Sequence, residues 1–135
     1  MKNSSFVEQE AYMTFARLNL GKKGEELAAD YLIKSGYRIV ERNYRCVFGE
    51  IDIVAEDGDT LVFIEVKSRR SANYGVPQLA VGYRKQKKIS TVALNYIEER
   101  QKHGRSARFD VVSIRLSSSG HAIELIKNAF ELAFG

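Results

Sequence analysis

Two short apolar segments on either side of a tight turn constrain the fold of this chain more than any other part of its sequence. Asp57-Gly58-Asp59 is typical of a β-hairpin turn, and residues 50–56 and 60–67 around it are rich in β-branched and aromatic residues. Each segment carries one acid inside its apolar run, Asp52 in the first and Glu65 in the second. Charged side chains rarely stand at such positions unless they are paired or bind a ligand, so both acids are candidates for a site.

The hairpin brings these two acids together in either of its possible registers. If Asp57-Gly58 is the turn, Asp52 pairs with Phe63, and if Gly58-Asp59 is the turn, Asp52 pairs with Glu65. Because side chains alternate with a period of two, Asp52 and Glu65 share a face in both cases. Residues two positions farther from the turn share it as well. The predicted cluster comprises Glu50, Asp52, Glu65 and Lys67.

Clustered carboxylates repel each other unless a proton or a cation separates them. Oxygen ligands without Cys or His suit Mg²⁺ or Mn²⁺, and the backbone carbonyl of Val66 is a further candidate ligand. A metal bound by Asp52 and Glu65 would activate water, and Lys67 would orient that water or offset charge in the transition state. The alternative is a structural ion pair, with Glu50 as an exposed acid at a strand start. The excess of acids over the single lysine favours a metal site for hydrolysis of phosphodiesters.

The distribution of charge indicates an anionic partner more clearly than the net charge of +4 does. No Asp or Glu occurs from Val66 through Ile97, although the segment is rich in Lys and Arg. A segment whose charged residues are all basic predicts a positive surface that contacts phosphates. The alternative is a solvated helix face. Tyr44 and Tyr74 would add stacking, or simply pack. The candidate nucleic-acid contacts are Arg45, Arg69, Arg70, Arg84, Lys85, Gln86, Lys87 and Lys88.

The order of predicted elements is α-β-β-β-α-β-β, which gives an α/β fold with a mixed sheet of about five strands flanked by helices. A helical connection between the third and fourth strands makes these two parallel and the crossover right-handed. Residues 1–20 are expected to form a tail or a short helix, with a loop at Gly21–Gly24 before a single domain over residues 21–135. We predict helices over residues 22–35, 78–101 and 129–133, and strands over residues 37–46, 50–56, 60–67, 107–116 and 122–127.

The sequence also resembles the YraN family of bacterial proteins, which are similar to Holliday-junction resolvases and belong to the PD-(D/E)xK superfamily. The matching segments run in order through residues 21–130. They are Gly24-Glu25-Glu26-Leu27-Ala28, Asn43-Tyr44-Arg45, Gly49-Glu50-Ile51-Asp52, Phe63-Ile64-Glu65-Val66-Lys67, Ala80-Val81 with Lys85, Arg108-Phe109-Asp110-Val111-Val112 and Asn128-Ala129-Phe130.

The resemblance implies a restriction-endonuclease-like fold, a metal held by Asp52 and Glu65, and a catalytic Lys67. It also implies that Glu25, on the first helix, reaches the same site; the alternative for Glu25 is a favourable acid near a helix N-terminus. Ile51 stands where the name of the superfamily motif has proline, which changes shape rather than chemistry.

We therefore expect a metal-dependent endonuclease that uses Mg²⁺ or Mn²⁺ on DNA, with branched or structured DNA as one option and RNA as another. The alternative is an inactive module that binds nucleic acid or recruits a partner. A homodimer would suit a branched substrate. No apolar stretch approaches the ~20 residues of a membrane helix, and Cys46 is the single cysteine, so we expect a cytoplasmic protein without disulfides.

Overall fold

A mixed β-sheet between two helices organises the chain. The computed structural model describes residues 6–70 and 81–132, with the backbone alone for residues 6–19. Its elements are α1 (Phe6–Lys34), β1 (Arg38–Cys46), β2 (Gly49–Asp57), β3 (Thr60–Arg70), α2 (Tyr83–Glu99), β4 (Ala107–Ser117) and β5 (Gly120–Phe130). The strands lie in the order β1-β2-β3-β4-β5, antiparallel except for the parallel pair β3–β4. The predicted fold class and the parallel fourth strand are confirmed.

The central strand β3 is apolar throughout its first half because both of its faces are covered. Leu61 and Phe63 belong to the core under α2, while Val62 and Ile64 belong to the core under α1. The α2 core is aromatic: the ring centroids of Phe63 and Tyr96 lie 5.7 Å apart in an edge-to-face arrangement. The sheet is therefore the middle of three layers. Residues of α1 face one side of it and residues of α2 face the other.

Helix α1 is longer than predicted. The predicted loop at Gly21–Gly24 is wrong, because the helix continues through both glycines. Gly24 is buried against β3, where the side chain of Ser68 occupies the space that a Cβ would need. Gly24 thus permits close approach of helix and strand rather than ending the helix. The end at Gly36 is as predicted: Gly36 has a φ of 93°, and the Tyr37 amide donates to the Leu32 carbonyl at 2.9 Å.

The second predicted helix was too long at both ends. Val81 and Gly82 lie outside α2, which begins at Tyr83, and residues 78–80 lie outside the described part of the chain. The helix ends at Glu99 because Gln101 adopts a φ of 55°, which turns the chain away. Glutamine is uncommon in that conformation, so the sequence carried no clear stop signal.

The predicted C-terminal helix is also wrong where the structure describes it. Ala129 and Phe130 extend β5, and Phe130 pairs with Phe109 and stacks on its ring at 4.7 Å. The extension comes directly after an irregularity at Asn128, whose φ is 52° and whose amide donates to Asp110 Oδ1 at 2.9 Å. Residues 133–135 lie outside the described part.

A buried polar cluster fastens the end of the sheet near the β2–β3 turn. Asp110 is fully buried and accepts hydrogen bonds from Arg108 Nε at 2.9 Å and from the Tyr37 hydroxyl at 2.8 Å. Arg108 also bonds to Asp57 at 2.7 Å, and this set of charge-assisted contacts raises the pKa of Arg108. The sequence singled out Arg108 and Asp110 only through the family resemblance. In the structure they have a structural role.

Neither helix, as far as the structure describes it, combines the length and the apolar character that a membrane span requires.

We predict opposite effects for alanine at two glycines of α1. At Gly24, a Cβ would lie 1.7 Å from Ser68 Oγ and 2.9 Å from Ser68 Cβ, so Gly24→Ala should lower the free energy of unfolding by about 1–3 kcal/mol. At Gly21 nothing lies within 4 Å, so Gly21→Ala should raise it by about 0.5–1 kcal/mol. Urea denaturation measures both. Adding Ser68→Gly should restore stability to the Gly24→Ala protein, and equal effects at the two glycines would contradict this packing.

Candidate active site

A break in the sheet at Asp52 defines the candidate site. The pairing of β2 with β3 ends at Ile53 and Ile64, so Asp52 and Glu65 are the next residues opposite each other. Here the Val66 N–H donates to Asp52 Oδ2 at 2.8 Å, and a side-chain carboxylate takes the place of a strand carbonyl. The two acids thus meet at the point where β2 leaves β3.

The local shape of β2 explains how an acid comes to lie inside the sheet. Ile51 packs in the core under α2 and Ile53 in the core under α1, although they are two residues apart, so the normal alternation of side chains fails at Asp52. On β1, the residue opposite Asp52 in the register is Asn43, which has a φ of 53°. This irregularity directs the Asp52 carboxylate toward β3.

Asp52 lies between two cavities, one on each side of the sheet. The α2-side cavity has a volume of about 510 Å³ and is lined by Arg45, Cys46, Gly49, Glu50, Asp52, Glu65, Lys85, Lys88 and Ile89. The α1-side cavity has a volume of about 350 Å³ and is lined by Leu20, Gly21, Glu25, Asp52, Val66, Lys67 and Ser68. Glu65 and Glu25 therefore approach Asp52 from opposite faces of the sheet. The structure brings together all four residues predicted to be catalytic: Asp52, Glu65, Lys67 and Glu25.

Burial and repulsion by neighbouring carboxylates dominate the electrostatics of Asp52. Burial, and then the neighbouring Glu65, raise the pKa of Asp52 to about 7, even though the Val66 amide opposes the shift. Glu25 and Glu50 add to the increase. A carboxyl whose charge is this unfavourable attracts a proton or a cation, which is the behaviour expected of a metal ligand.

Two lysines partly compensate this negative charge. Lys85 Nζ lies 2.7 Å from Glu65 Oε1, and Lys67 Nζ lies 3.7 Å from the same oxygen. Burial and the nearby ammonium of Lys85 lower the pKa of Lys67. Burial by itself would lower the pKa of Lys85. The contacts of Lys85, above all the one with Glu65, outweigh burial, so the pKa of Lys85 is raised.

The direct contact of Lys85 with Glu65 was missed from the sequence, which placed Lys85 among the phosphate contacts. A signal existed, because Lys85 lies four residues before the buried Ile89 and so belongs to the helix face that meets the sheet.

The donor set fits a hard divalent cation. Asp52 and Glu65 supply carboxylate oxygens, and the Val66 carbonyl points to the same side of β3 as the Val66 amide that meets Asp52. Among the side chains that the structure describes, no three of Asp, Glu, His and Cys are grouped to hold a metal by themselves. Mg²⁺ commonly takes one or two carboxylates and keeps several waters, so this smaller set suffices. The assignment of these ligands, and of the catalytic roles, remains a prediction.

The predicted nucleic-acid contacts fall into three groups. Arg45, Lys85 and Lys88 line the α2-side cavity, and Arg84 is exposed on α2 beside them. Gln86 does not share this position, because its Nε2 donates to the Val81 carbonyl at 2.8 Å and holds the start of α2. Lys87, Arg69 and Arg70 do not line either cavity; Lys87 is half-buried on α2, and the two arginines end β3.

Two further predictions concern side chains near the site. Tyr44 is 2% exposed and packs edge-to-face on Tyr96, so packing, not stacking on a base, is its role here. Glu50 lines the cavity, is 54% exposed and pairs with Arg45 at 2.9 Å. Tyr74 lies outside the described residues.

A family model described as "Uncharacterised protein family UPF0102" matches residues 24–114. This chain belongs to the UPF0102 family. A UPF0102 protein of Syntrophus aciditrophicus is 60% identical over 118 residues, which covers 87% of this chain and 93% of the relative. UPF0102 proteins of Geobacter metallireducens and Pelobacter propionicus are 52% and 49% identical over 90% and 99% of this chain, and each is covered completely.

The family matches the resemblance identified from the sequence. Among solved structures, the chain is similar to Pyrococcus furiosus SfsA in complex with Ca²⁺, with a TM-score of 0.35 and 16% identity. That similarity covers 83% of this chain, and the chain spans 63% of the SfsA chain.

We predict that Asp52→Asn stabilises the metal-free protein at alkaline pH. The pKa of Asp52 is raised from 3.8 to about 7 in the folded state, so the wild-type free energy of unfolding falls as pH rises through this interval. Asparagine carries no charge and keeps an acceptor for the Val66 amide. At pH ~8 the variant should exceed the wild type by about 1–3 kcal/mol, a range reduced for partial exposure, and near pH ~4 the two should converge.

Denaturation in the presence of a chelator at several pH values measures this difference. Asp30→Asn, an exposed change on α1, is the matched control and should leave the pH profile of the wild type unchanged. An Asp52→Asn protein no more stable than the wild type at the alkaline end would contradict the raised pKa.

Proposed function

We propose that this protein is a metal-dependent endonuclease that hydrolyses phosphodiester bonds in DNA. The observation that carries the proposal is the pair of largely buried carboxylates, Asp52 and Glu65, at a break in the sheet beside Lys67 and Lys85. Acids held this close are costly in a metal-free fold, and a binding surface for phosphates has no need of them. Charge repulsion between the acids and phosphate is removed once a cation lies between them.

In this proposal each residue has a defined task. Asp52, Glu65 and the Val66 carbonyl hold Mg²⁺ or Mn²⁺, which when bound polarises a phosphoryl oxygen and makes water more acidic. Lys67 has a lowered pKa, and its Nζ lies 3.7 Å from Glu65 Oε1, where the amine orients water beside the cation by hydrogen bonding. Glu25 faces Asp52 from the α1-side cavity and adds negative charge that favours the cation.

The surroundings of the α2-side cavity supply the contacts with the substrate backbone. Arg45 and Lys88 line it and Arg84 is exposed nearby, so positive charge surrounds the acids on this side. Such contacts bind phosphates without reading bases. DNA is the proposed substrate and RNA is an outcome of the test; a symmetric dimer remains a prediction.

A second candidate is a binding module without chemistry. The Lys85–Glu65 contact at 2.7 Å favours it, because this ammonium neutralises one acid without a metal. The two candidates predict different outcomes when the protein is mixed with a divalent ion and nucleic acid: the endonuclease cuts the strand, whereas the module binds it and leaves it intact.

We predict that the purified protein cuts DNA in Mg²⁺ or Mn²⁺ and that the cluster is responsible. Asp52→Asn, Glu65→Gln and Lys67→Ala should each lower the cleavage rate by at least about 100-fold, since each removes a group that acts on the reacting atoms. Lys34→Ala, an exposed change at the end of α1, is the charge-matched control for Lys67→Ala and should cut normally. Gel assays on duplex, single-stranded, flap and four-way-junction DNA, with RNA counterparts, measure the rate.

The binding module is supported instead if the wild type binds these substrates and cuts none of them. Metal binding is measured separately by calorimetry with Mn²⁺, where heat from the wild type and none from Asp52→Asn identifies the predicted ligand. Equal cutting by all variants would indicate a contaminating nuclease and would contradict the proposal.

We also predict that Lys88 and Arg84 contact phosphates. In an Asp52→Asn background, which keeps the substrate intact, Lys88→Ala and Arg84→Ala should weaken binding to all sequences and lower the slope of log affinity against log salt by about 1 each. Lys34→Ala is again the control. Unchanged slopes for both variants would place the substrate elsewhere on the surface.

A further inference from the structure

The turn between β1 and β2 exposes two large apolar side chains. Val47 is 90% exposed and Phe48 is 50% exposed, and both lie between Cys46 and Gly49, which pair at the end of the two strands. Tight hairpin turns normally carry Gly, Asn or Asp, because these tolerate the backbone conformation and the contact with water. Val and Phe neither favour the backbone conformation of a tight turn nor interact well with water. Folding alone therefore does not explain why they occupy this turn.

The position of the turn gives these side chains a context. Cys46 and Gly49, the residues immediately before and after Val47-Phe48, both line the α2-side cavity together with Asp52 and Glu65. Val47 and Phe48, which form the apolar tip of this turn, therefore lie at the edge of the α2-side cavity that Asp52 and Glu65 line.

The base of the turn is packed firmly against α2. Gly49 has a φ of 145°, and a Cβ at this position would lie 3.0 Å from Lys88 Cε and 3.2 Å from Val92 Cγ2. A side chain at this position would displace the side chains of Lys88 and Val92, and it would have to adopt a φ that residues other than glycine rarely take. The tip is thus held at a fixed place relative to α2 and its basic residues.

Charge around the tip indicates what it meets. Arg45, two residues before Val47, pairs with Glu50 but keeps a side chain that is 74% exposed, and the Lys88 side chain lies against Gly49. Apolar side chains beside cations suit a ligand with both anionic groups and flat apolar faces, which describes a nucleic acid whose bases are accessible. A partner surface that is apolar alone would leave these cations without anionic groups opposite them.

We propose that Val47 and Phe48 form a wedge that packs against an unpaired base of a branched nucleic acid, next to the bond that is cut. This inference rests on the proposed function and names its substrate class. In continuous duplex, a wedge must first separate stacked bases, whereas a branch point or a flap presents bases that are already unstacked. The wedge therefore favours branched over continuous substrates.

The test uses Asp52→Asn protein, so that binding is measured without cleavage. Fluorescence anisotropy compares a four-way junction and a flap with a continuous duplex of equal length, and 2-aminopurine at the branch point reports stacking. Phe48→Ala should weaken binding to branched DNA by about 10-fold and to duplex by less than about 2-fold, and should abolish the 2-aminopurine response. Phe48→Trp, which keeps an aromatic face, should retain both.

Ile33→Ala is the matched control, because Ile33 is 57% exposed on α1 and lines neither cavity. The wedge is overturned, while the proposed function stands, if Phe48→Ala binds branched DNA as tightly as the control does. The same conclusion follows if Phe48→Ala weakens binding to duplex and to branched DNA equally. A parent protein that binds no nucleic acid overturns both. Phe48→Ala that dissociates a dimer in sedimentation, with unchanged affinity for branched DNA, makes the tip a contact between copies and also overturns the wedge.

Discussion

The hydrogen bond from the Val66 amide to the Asp52 carboxylate holds the sheet open at the point on which the rest of the site depends. A strand carbonyl in that place would continue the ladder and close the gap between β2 and β3. With a carboxylate there, β2 leaves its neighbour, and cavities form on both faces of the sheet. Helix α1 brings Glu25 to one of them and α2 brings Lys85 to the other. Groups from α1, α2 and β3 thus surround a single acid on β2.

Much of this arrangement could be predicted from local sequence. Asp57-Gly58-Asp59 limits the hairpin to two registers, and alternation puts Asp52 and Glu65 together in both; the structure selects the register with Gly58-Asp59 as the turn. The order of strands and the parallel pairing of β4 are consequences of the position of the second helix in the chain. Glu25 is different, because its place beside Asp52 was implied by the family resemblance alone.

What the sequence did not show depends on contacts between distant residues. Gly24 looks like the end of a loop until Ser68, on another element, fills the space beside it. From the sequence, Lys85 resembles a solvent-exposed lysine on a helix surface. In the structure its Nζ contacts Glu65, which lies on a different element. The extension of β5 requires Asp110 to accept the Asn128 amide. Each is decided by packing across the sheet, which outweighs the local preference of the residue concerned.

The cluster of Arg108, Asp110 and Tyr37 is close to the acids in the sheet. Arg108 pairs in register with Val62, and Asp110 pairs with Ile64, the residue directly before Glu65. Substitutions at neighbouring positions commonly have coupled rather than additive energetic effects. The strand that presents Glu65 is therefore also the strand that this buried network holds in place, so the stability of the fold and the chemistry of the acids are constrained together.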